Sequence, residues 1–181
     1  VRYPCVLFQD GRFHMWYRGR RGLQAEIGYA HSGDGRSWQR HDKNPVLTCD
    51  AASHWDRGQL ECPSVIRHGN NYRMWYTGFD WKTWRIGHAE SKNGVRWEKT
   101  TENPVLLAEP ATAWDMHHVQ SPCVIPTPEG YRMWYAGMHG TQVQIGTAVS
   151  TDGKTWAPDS RNPVVTPRTR GWDSHQVDLP S

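Results

Sequence analysis

Tyr72-Arg73-Met74-Trp75-Tyr76-Thr77 alternates, with Tyr72, Met74 and Tyr76 on one face and Arg73 and Trp75 on the other. That period of two is the pattern of a β-strand. Pro63-Ser64-Val65-Ile66-Arg67 before it reads as a strand that follows a proline, and Ile86-Gly87-His88-Ala89-Glu90 after it as a third. Asn93-Gly94 is a tight-turn signal, and it leads to a fourth strand around Val95-Arg96-Trp97-Glu98. Asn103-Pro104 then breaks the pairing. No stretch carries a helical period.

The same pattern occurs three times. Met15-Trp16-Tyr17 returns as Met74-Trp75-Tyr76 and Met133-Trp134-Tyr135, each time 59 residues on. Gly19, Ile27-Gly28, Ser32, Trp38 and Asn44-Pro45-Val46 recur at the same interval. Trp55-Asp56 returns at Trp114-Asp115 and, one residue short, at Trp172-Asp173. Nine of the 11 tryptophans fall at three recurring positions; the other two are Trp81 and Trp84. Four antiparallel strands per unit with aromatic and glycine landmarks predict an all-β chain, a β-propeller built of four-stranded blades. Repeats at about 4–62, 63–121 and 122–179 make one domain, and Leu179-Pro180-Ser181 begins the first strand of a fourth unit.

Natural rings have typically 4 to 8 blades, and a three-blade arc would leave apolar faces bare at both ends. Two resolutions stand. Either the chain is a piece of a longer propeller, or copies associate, a two-fold dimer giving a six-bladed ring. The whole number of units favours self-association.

Composition narrows the function. Hydrophobic residues make up 36% of the chain and aromatic ones 12%, which places it with folded proteins. The formal charge is +3 with no Lys/Arg run, so nothing calls for nucleic acid. No apolar run approaches the roughly 18 residues of a membrane-spanning helix. Cys5, Cys49, Cys62 and Cys123 form no CxxC or close Cys/His spacing, which predicts free thiols and no zinc site. No cofactor is called for.

The unit Pro-x-Val-Ile, Tyr-Arg-Met-Trp-Tyr-x-Gly, Ile-Gly-x-Ala-x-Ser, Asp-Gly-x-x-Trp, Asn-Pro-Val resembles the blades of the five-bladed propeller glycosidases. These include glycoside hydrolase families thirty-two, forty-three and sixty-eight and the mannoside phosphorylases. The resemblance covers all three repeats. It implies an active-site funnel at the ring axis, with an acidic nucleophile or base directly before one blade's proline. It implies a general-acid Glu two residues before another, and Glu61-Cys62-Pro63 matches that motif. The same slot holds Arg2, Gln120 and Asp178 in the other units, and such variety on a repeated scaffold points to function.

Glycosidic cleavage needs one carboxylic acid to protonate the leaving oxygen and one carboxylate to attack or activate water, roughly 5 to 9.5 Å apart. Glu61 is the candidate acid, its pKa raised by burial. The residues directly before the blade prolines Pro4, Pro63, Pro122 and Pro180 are Tyr3, Cys62, Ser121 and Leu179, none a carboxylate, which leaves Asp178 as the other carboxylate in the funnel slot. Arg2 and Gln120 are candidate donors to sugar hydroxyls. Trp81 and Trp84, in a loop of the second unit only, are candidate stacking platforms for a sugar face. His118 is a candidate ligand-binding residue just before the slot, and the adjacent His117 does not make a metal site with it, since neighbours on a strand face opposite ways. Asp56, Asp115 and Asp173, repeated after Trp in every unit, read as loop braces. The expected ligand is an oligosaccharide or polysaccharide, hydrolysed if the carboxylate set is complete. The alternative is a non-catalytic sugar-binding or repeat-assembly propeller fragment.

Overall fold

The computed structural model describes residues 1–109 and 114–180; Ser181 of the short C-terminal remainder lies outside them. Among the described residues twelve strands run in chain order: β1 (Arg2–Gln9), β2 (Arg12–Arg21), β3 (Gln24–Ser32), β4 (Gln39–Arg40), β5 (Gln59–His68), β6 (Asn71–Phe79), β7 (Trp84–Ser91), β8 (Glu98–Lys99), β9 (His118–Thr127), β10 (Gly130–His139), β11 (Gln142–Ser150) and β12 (Ala157–Pro158). They form antiparallel meanders of four, β1–β4, β5–β8 and β9–β12. A parallel bridge, Ala25 to Gln59, joins the first meander to the second. The fourth strands are only two residues long.

The recurring residues build each unit from side-chain hydrogen bonds. In the hairpins, Ser32, Ser91 and Ser150 Oγ each accept from the glycine N–H three residues on. Asp34, Asn93 and Asp152 Oδ1 accept from the two amides that follow that glycine. Trp38, Trp97 and Trp156 donate their indole N–H back to the same glycine's carbonyl. Asn44, Asn103 and Asn162 act as brackets: each amide both accepts from and donates to the backbone of Tyr29, His88 and Thr147. Short side chains here continue a ladder that proline interrupts.

The units are nailed together by indoles. Trp16 crosses to the second unit and donates to Gly94 O at 2.7 Å; Trp75 crosses to the third and donates to Gly153 O at 2.8 Å. Both are fully buried. Each removes on the order of 200 Å² from water, about 5 kcal/mol of transfer free energy before entropy is charged. The glycines are required, since a Cβ at Gly94 or Gly153 would stand 2.9 Å from the indole and φ is positive at both. Because units lie on either side of it, β6 is buried on both faces, Met74, Trp75, Tyr76 and Thr77 alike. The end units are not: Val6 and Phe8 are exposed on β1 and Ile125 on β9.

Candidate functional site

The expectation that the first strand of each unit follows its proline is corrected by the structure. β1, β5 and β9 run through Pro4, Pro63 and Pro122. The ladder slips at each crossing, between Arg2 and Cys5, between Glu61 and Ser64, and opposite Trp134 and Ala136. A proline inside a strand is tolerated at such bulges because the missing N–H falls where pairing is already lost. The residue before each proline takes a left-handed backbone: Tyr3 (φ 53°), Cys62 (48°), Ser121 (54°) and Leu179 (55°). Four unrelated side chains thus share a conformation that costs a non-glycine residue roughly 1–3 kcal/mol. These residues and their prolines line one cavity of about 260 Å³.

Two residues before each proline stand Arg2, Glu61, Gln120 and Asp178. The Glu61 carboxylate is paired with Arg18 Nε at 2.5 Å, and both side chains are almost wholly buried. Arg18 Nη2 also donates to Gln59 Oε1 at 3.2 Å. Burial pushes the Glu61 pKa above the ordinary glutamate value; Arg18, then Arg2 and Arg20, pull the other way. Asp178 Oδ1 accepts from the Leu179 amide at 2.7 Å. Burial drives the Cys62 thiol up to about 12, and the charges of Glu61 and Asp178 both add to that rise. Both carboxylates therefore act on the same thiol. All four cysteines are free and half-buried.

Trp81, Trp84 and His118 gather at a second place, where the β6–β7 loop meets the start of β9. Asp80 holds that loop: Oδ1 accepts from the Lys82 and Thr83 amides, and Oδ2 from Arg85 Nη1. Trp84 stacks on Phe79 with ring centroids 4.2 Å apart and planes 17° from parallel, so one of its faces is already covered. Trp81 meets Phe79 edge-on and remains 45% exposed. His118 Nδ1 accepts from the Trp84 amide at 3.3 Å, and burial lowers its pKa, with His117 and Arg85 adding to the fall. His117 turns elsewhere, accepting from the Gly140 amide.

Arg18 is the functional candidate that the motif reading did not reach. Its signal is the same as that of the Glu61 slot: the equivalent positions hold Thr77 and Ala136, so the residue varies from unit to unit on a constant scaffold. Thr77 does for the third unit what Arg18 does for the second, its Oγ1 accepting from the Ser121 amide beside the cavity.

A family model described as the glycosyl hydrolases family 32 N-terminal domain matches residues 63–178, well over half of the chain. The chain belongs to the propeller superfamily of glycoside hydrolases. A second model of that superfamily, described as beta-1,4-mannooligosaccharide phosphorylase, matches residues 4–92. Among curated proteins, an uncharacterized protein of Mycobacterium tuberculosis is 31% identical over 161 residues, 85% of this chain and 51% of its own. A beta-1,2-mannobiose phosphorylase of Thermoanaerobacter is 30% identical over 124 residues, 59% of this chain and 39% of its own. The chain thus spans about half the length, or less, of these curated relatives. In fold it is similar to fructan 1-exohydrolase IIa from Cichorium intybus (TM-score 0.73, 22% identity, 87% of this chain and 31% of that one). It is also similar to a family 117 glycoside hydrolase of Zobellia galactanivorans (TM-score 0.78, 16% identity, 91% and 57%).

Proposed function

We propose that the three four-stranded units are blades of a glycosidase-type propeller and that Glu61 is the acid that protonates the leaving glycosidic oxygen. One observation carries this: a nearly buried carboxyl, its pKa raised, beside a cavity built from four copies of the same strained pre-proline backbone. A pKa shifted upward is the direction a general acid needs. Strain repeated around one cavity supports a site whose geometry is over-determined by the scaffold. Asp178 is the other carboxylate of the slot. Arg2 and Gln120 line the approach, while Trp81, Trp84 and His118 form an outlying wall against which a longer oligosaccharide would lie.

No carboxylate stands directly before the prolines that line this cavity, and three guanidinium groups (Arg18, Arg2 and Arg20) act on Glu61. That cationic surround favours an anion in the nucleophile's place, as in phosphorolysis, and a relative named as a phosphorylase supports this choice of acceptor. The test is Glu61→Gln, assayed on mannosides and fructosides with and without inorganic phosphate. Loss of general acid catalysis lowers turnover of poor leaving groups about 10²- to 10⁴-fold. Aryl glycosides whose leaving group needs no proton should be largely spared. Equal loss on both substrate types would reject the acid role, and no turnover by the unaltered protein would leave the sugar-binding reading in its place.

A further inference from the structure

The turn between the second and third strands is made alike in the first and third units and differently in the second. Gly22 and Gly140 hold corresponding places in it, with φ of 63° and 60°, and a Cβ at either would meet nothing within 4 Å. The place between them, 59 residues from each, holds Trp81 at φ 77°. A left-handed backbone suits glycine and is an outlier for a bulky side chain, so the second unit carries strain that its neighbours avoid. A second departure accompanies the first. Gly58 N–H donates to Phe79 O at 2.8 Å just as His117 N–H donates to Met138 O at 3.0 Å, which makes Gly58 and His117 equivalents. A Cβ on Gly58 would stand 2.8 Å from the Trp81 indole and 2.9 Å from Phe79 O. In the third unit the exchange is reversed, His117 Nδ1 accepting from the Gly140 amide at 2.9 Å. Two coordinated departures from the repeat thus seat one indole on Gly58, edge-on to Phe79, and leave it 45% exposed.

The surroundings of that ring are cationic. Buried Asp80 turns its acceptors inward, Oδ1 to the Lys82 and Thr83 amides, Oδ2 to Arg85, and its carbonyl to Arg57 Nε at 3.3 Å. Lys82 and Arg57 are exposed beside the indole, and neither pairs with a carboxylate among the described residues. Gly58 precedes Glu61 by three residues, about 10 Å at strand spacing. We propose that Trp81 is a specificity platform that stacks on a sugar ring bearing a carboxylate, away from the ring cleaved at Glu61, and that Lys82 and Arg57 pair with that carboxylate. Stacking on C–H faces tolerates many sugars, whereas the two cations select for charge. An indole already fixed by Gly58 and Phe79 loses little freedom on binding. The inference rests on reading this wall as sugar-binding and not on Glu61 as the acid. Its readout is binding, and Glu61→Gln should bind as the unaltered chain does.

Calorimetric titration with tetramers of galacturonate, mannuronate and glucuronate, each beside its carboxyl-reduced counterpart, tests it. At least one acidic tetramer should bind about fivefold or more tighter than its reduced form, an advantage that shrinks as salt is raised. Trp81→Gly should weaken that binding about tenfold or more. Its thermal midpoint should stay level or rise, because the variant restores the residue that the other units use at this backbone. Lys82→Gln and Arg57→Gln should each weaken the acidic tetramer about two- to fivefold and leave the reduced one unchanged. The proposal is overturned if no acidic tetramer binds, if the reduced form binds equally well, or if binding survives Trp81→Gly. A lower midpoint for Trp81→Gly overturns it as well, since the strained ring would then be a brace of the fold rather than a platform for a ligand.

Discussion

Glu61 and Arg18 are held together in surroundings where neither is stable alone. Both are largely stripped of water, so each carries a desolvation penalty that the other offsets. Removing one partner of a buried pair leaves an uncompensated charge, which is more damaging than removing both. Arg18→Met should therefore destabilise the chain by about 3 kcal/mol at pH 7, the low end for a broken buried pair because both groups keep slight solvent contact. The double variant Arg18→Met/Glu61→Gln should recover much of that loss. Acid should rescue the single variant as well. With the guanidinium gone, the Glu61 pKa rises further above its unfolded value, so the loss present at neutral pH fades as pH drops through the folded pKa. Urea denaturation of the three proteins at pH 7 and pH 4 checks this. Equal losses for the single and double variants would show that Arg18 acts through packing alone. Cys62 bears on the same site from the other side: its thiol, pushed up to about 12, stays protonated and unreactive in the fold.

At the scale of the element, the recurring glycines do two jobs that the repeat pattern does not separate. Gly78 is where Trp55 and the Asp56 Cβ come within 2.8 Å of the position a methyl would take, whereas Gly19, its equivalent in the first unit, faces open space. Gly78→Ala should consequently be among the more disruptive small changes in the chain, costing at least about 2 kcal/mol by forcing the indole out of a packed site. Gly19→Ala should be neutral or stabilise the isolated chain by about 0.5 kcal/mol, because alanine loses less backbone entropy in a strand. Thermal melts of the two variants in dilute solution check the contrast, and similar losses would mean that Gly19 has a backbone role the packing does not show. Much of the element plan was legible: Met74-Trp75-Tyr76, Asn93-Gly94 and Asn103-Pro104 each mark structure by a local rule of alternation, turn or break. The run of β5 through Pro63 was not, since a proline ordinarily ends a strand and only the bulge excuses it. The left-handed backbone at Cys62 was hidden too, as pre-proline residues prefer extended conformations. Glu61 was found through a motif, but Arg18 lies 43 positions earlier in a stretch that reads as ordinary strand. Only the association of units brings it to the carboxylate. The tryptophan joints have the same character: Trp55 and Gly78 are each visible as repeats, and their contact is not.

For the molecule as a whole, one consequence of building units from packed rings is sensitivity to acid. His88 is fully buried, its Nδ1 2.7 Å from Thr100 Oγ1, its Nε2 without a partner among the described residues, and its ring 5.2 Å from that of Trp75. Burial lowers its pKa to about 3, with Arg73 and Lys154 contributing. Burial likewise lowers those of His14 and His118. An unfolded imidazole takes up a proton near pH 6.5 while these folded ones resist it. The unfolded state therefore binds more protons below that pH, and stability falls as pH drops, by about 1.4 kcal/mol per pH unit for each fully resistant histidine. For His88 the fall extends from about pH 6.5 to about pH 3. Asp152, held near 2 by the amides of Thr155 and Lys154, prolongs it with the same sign below the ordinary aspartate range. Glu61 works against the trend, since its raised pKa favours folding as acid is added. Denaturant midpoints measured from pH 7.5 to pH 4 should decline steadily once pH passes below 6.5. His88→Thr places there the residue found at the equivalent position of the third unit, Thr147, whose hydroxyl donates to the Met133 carbonyl. That variant loses ring packing at every pH, so the decisive quantity is the slope: it should be shallower by about one proton between pH 6 and pH 4. An unchanged slope would mean that the His88 ring becomes protonated inside the folded chain, and that the core around Trp75 opens to water more readily than its packing implies.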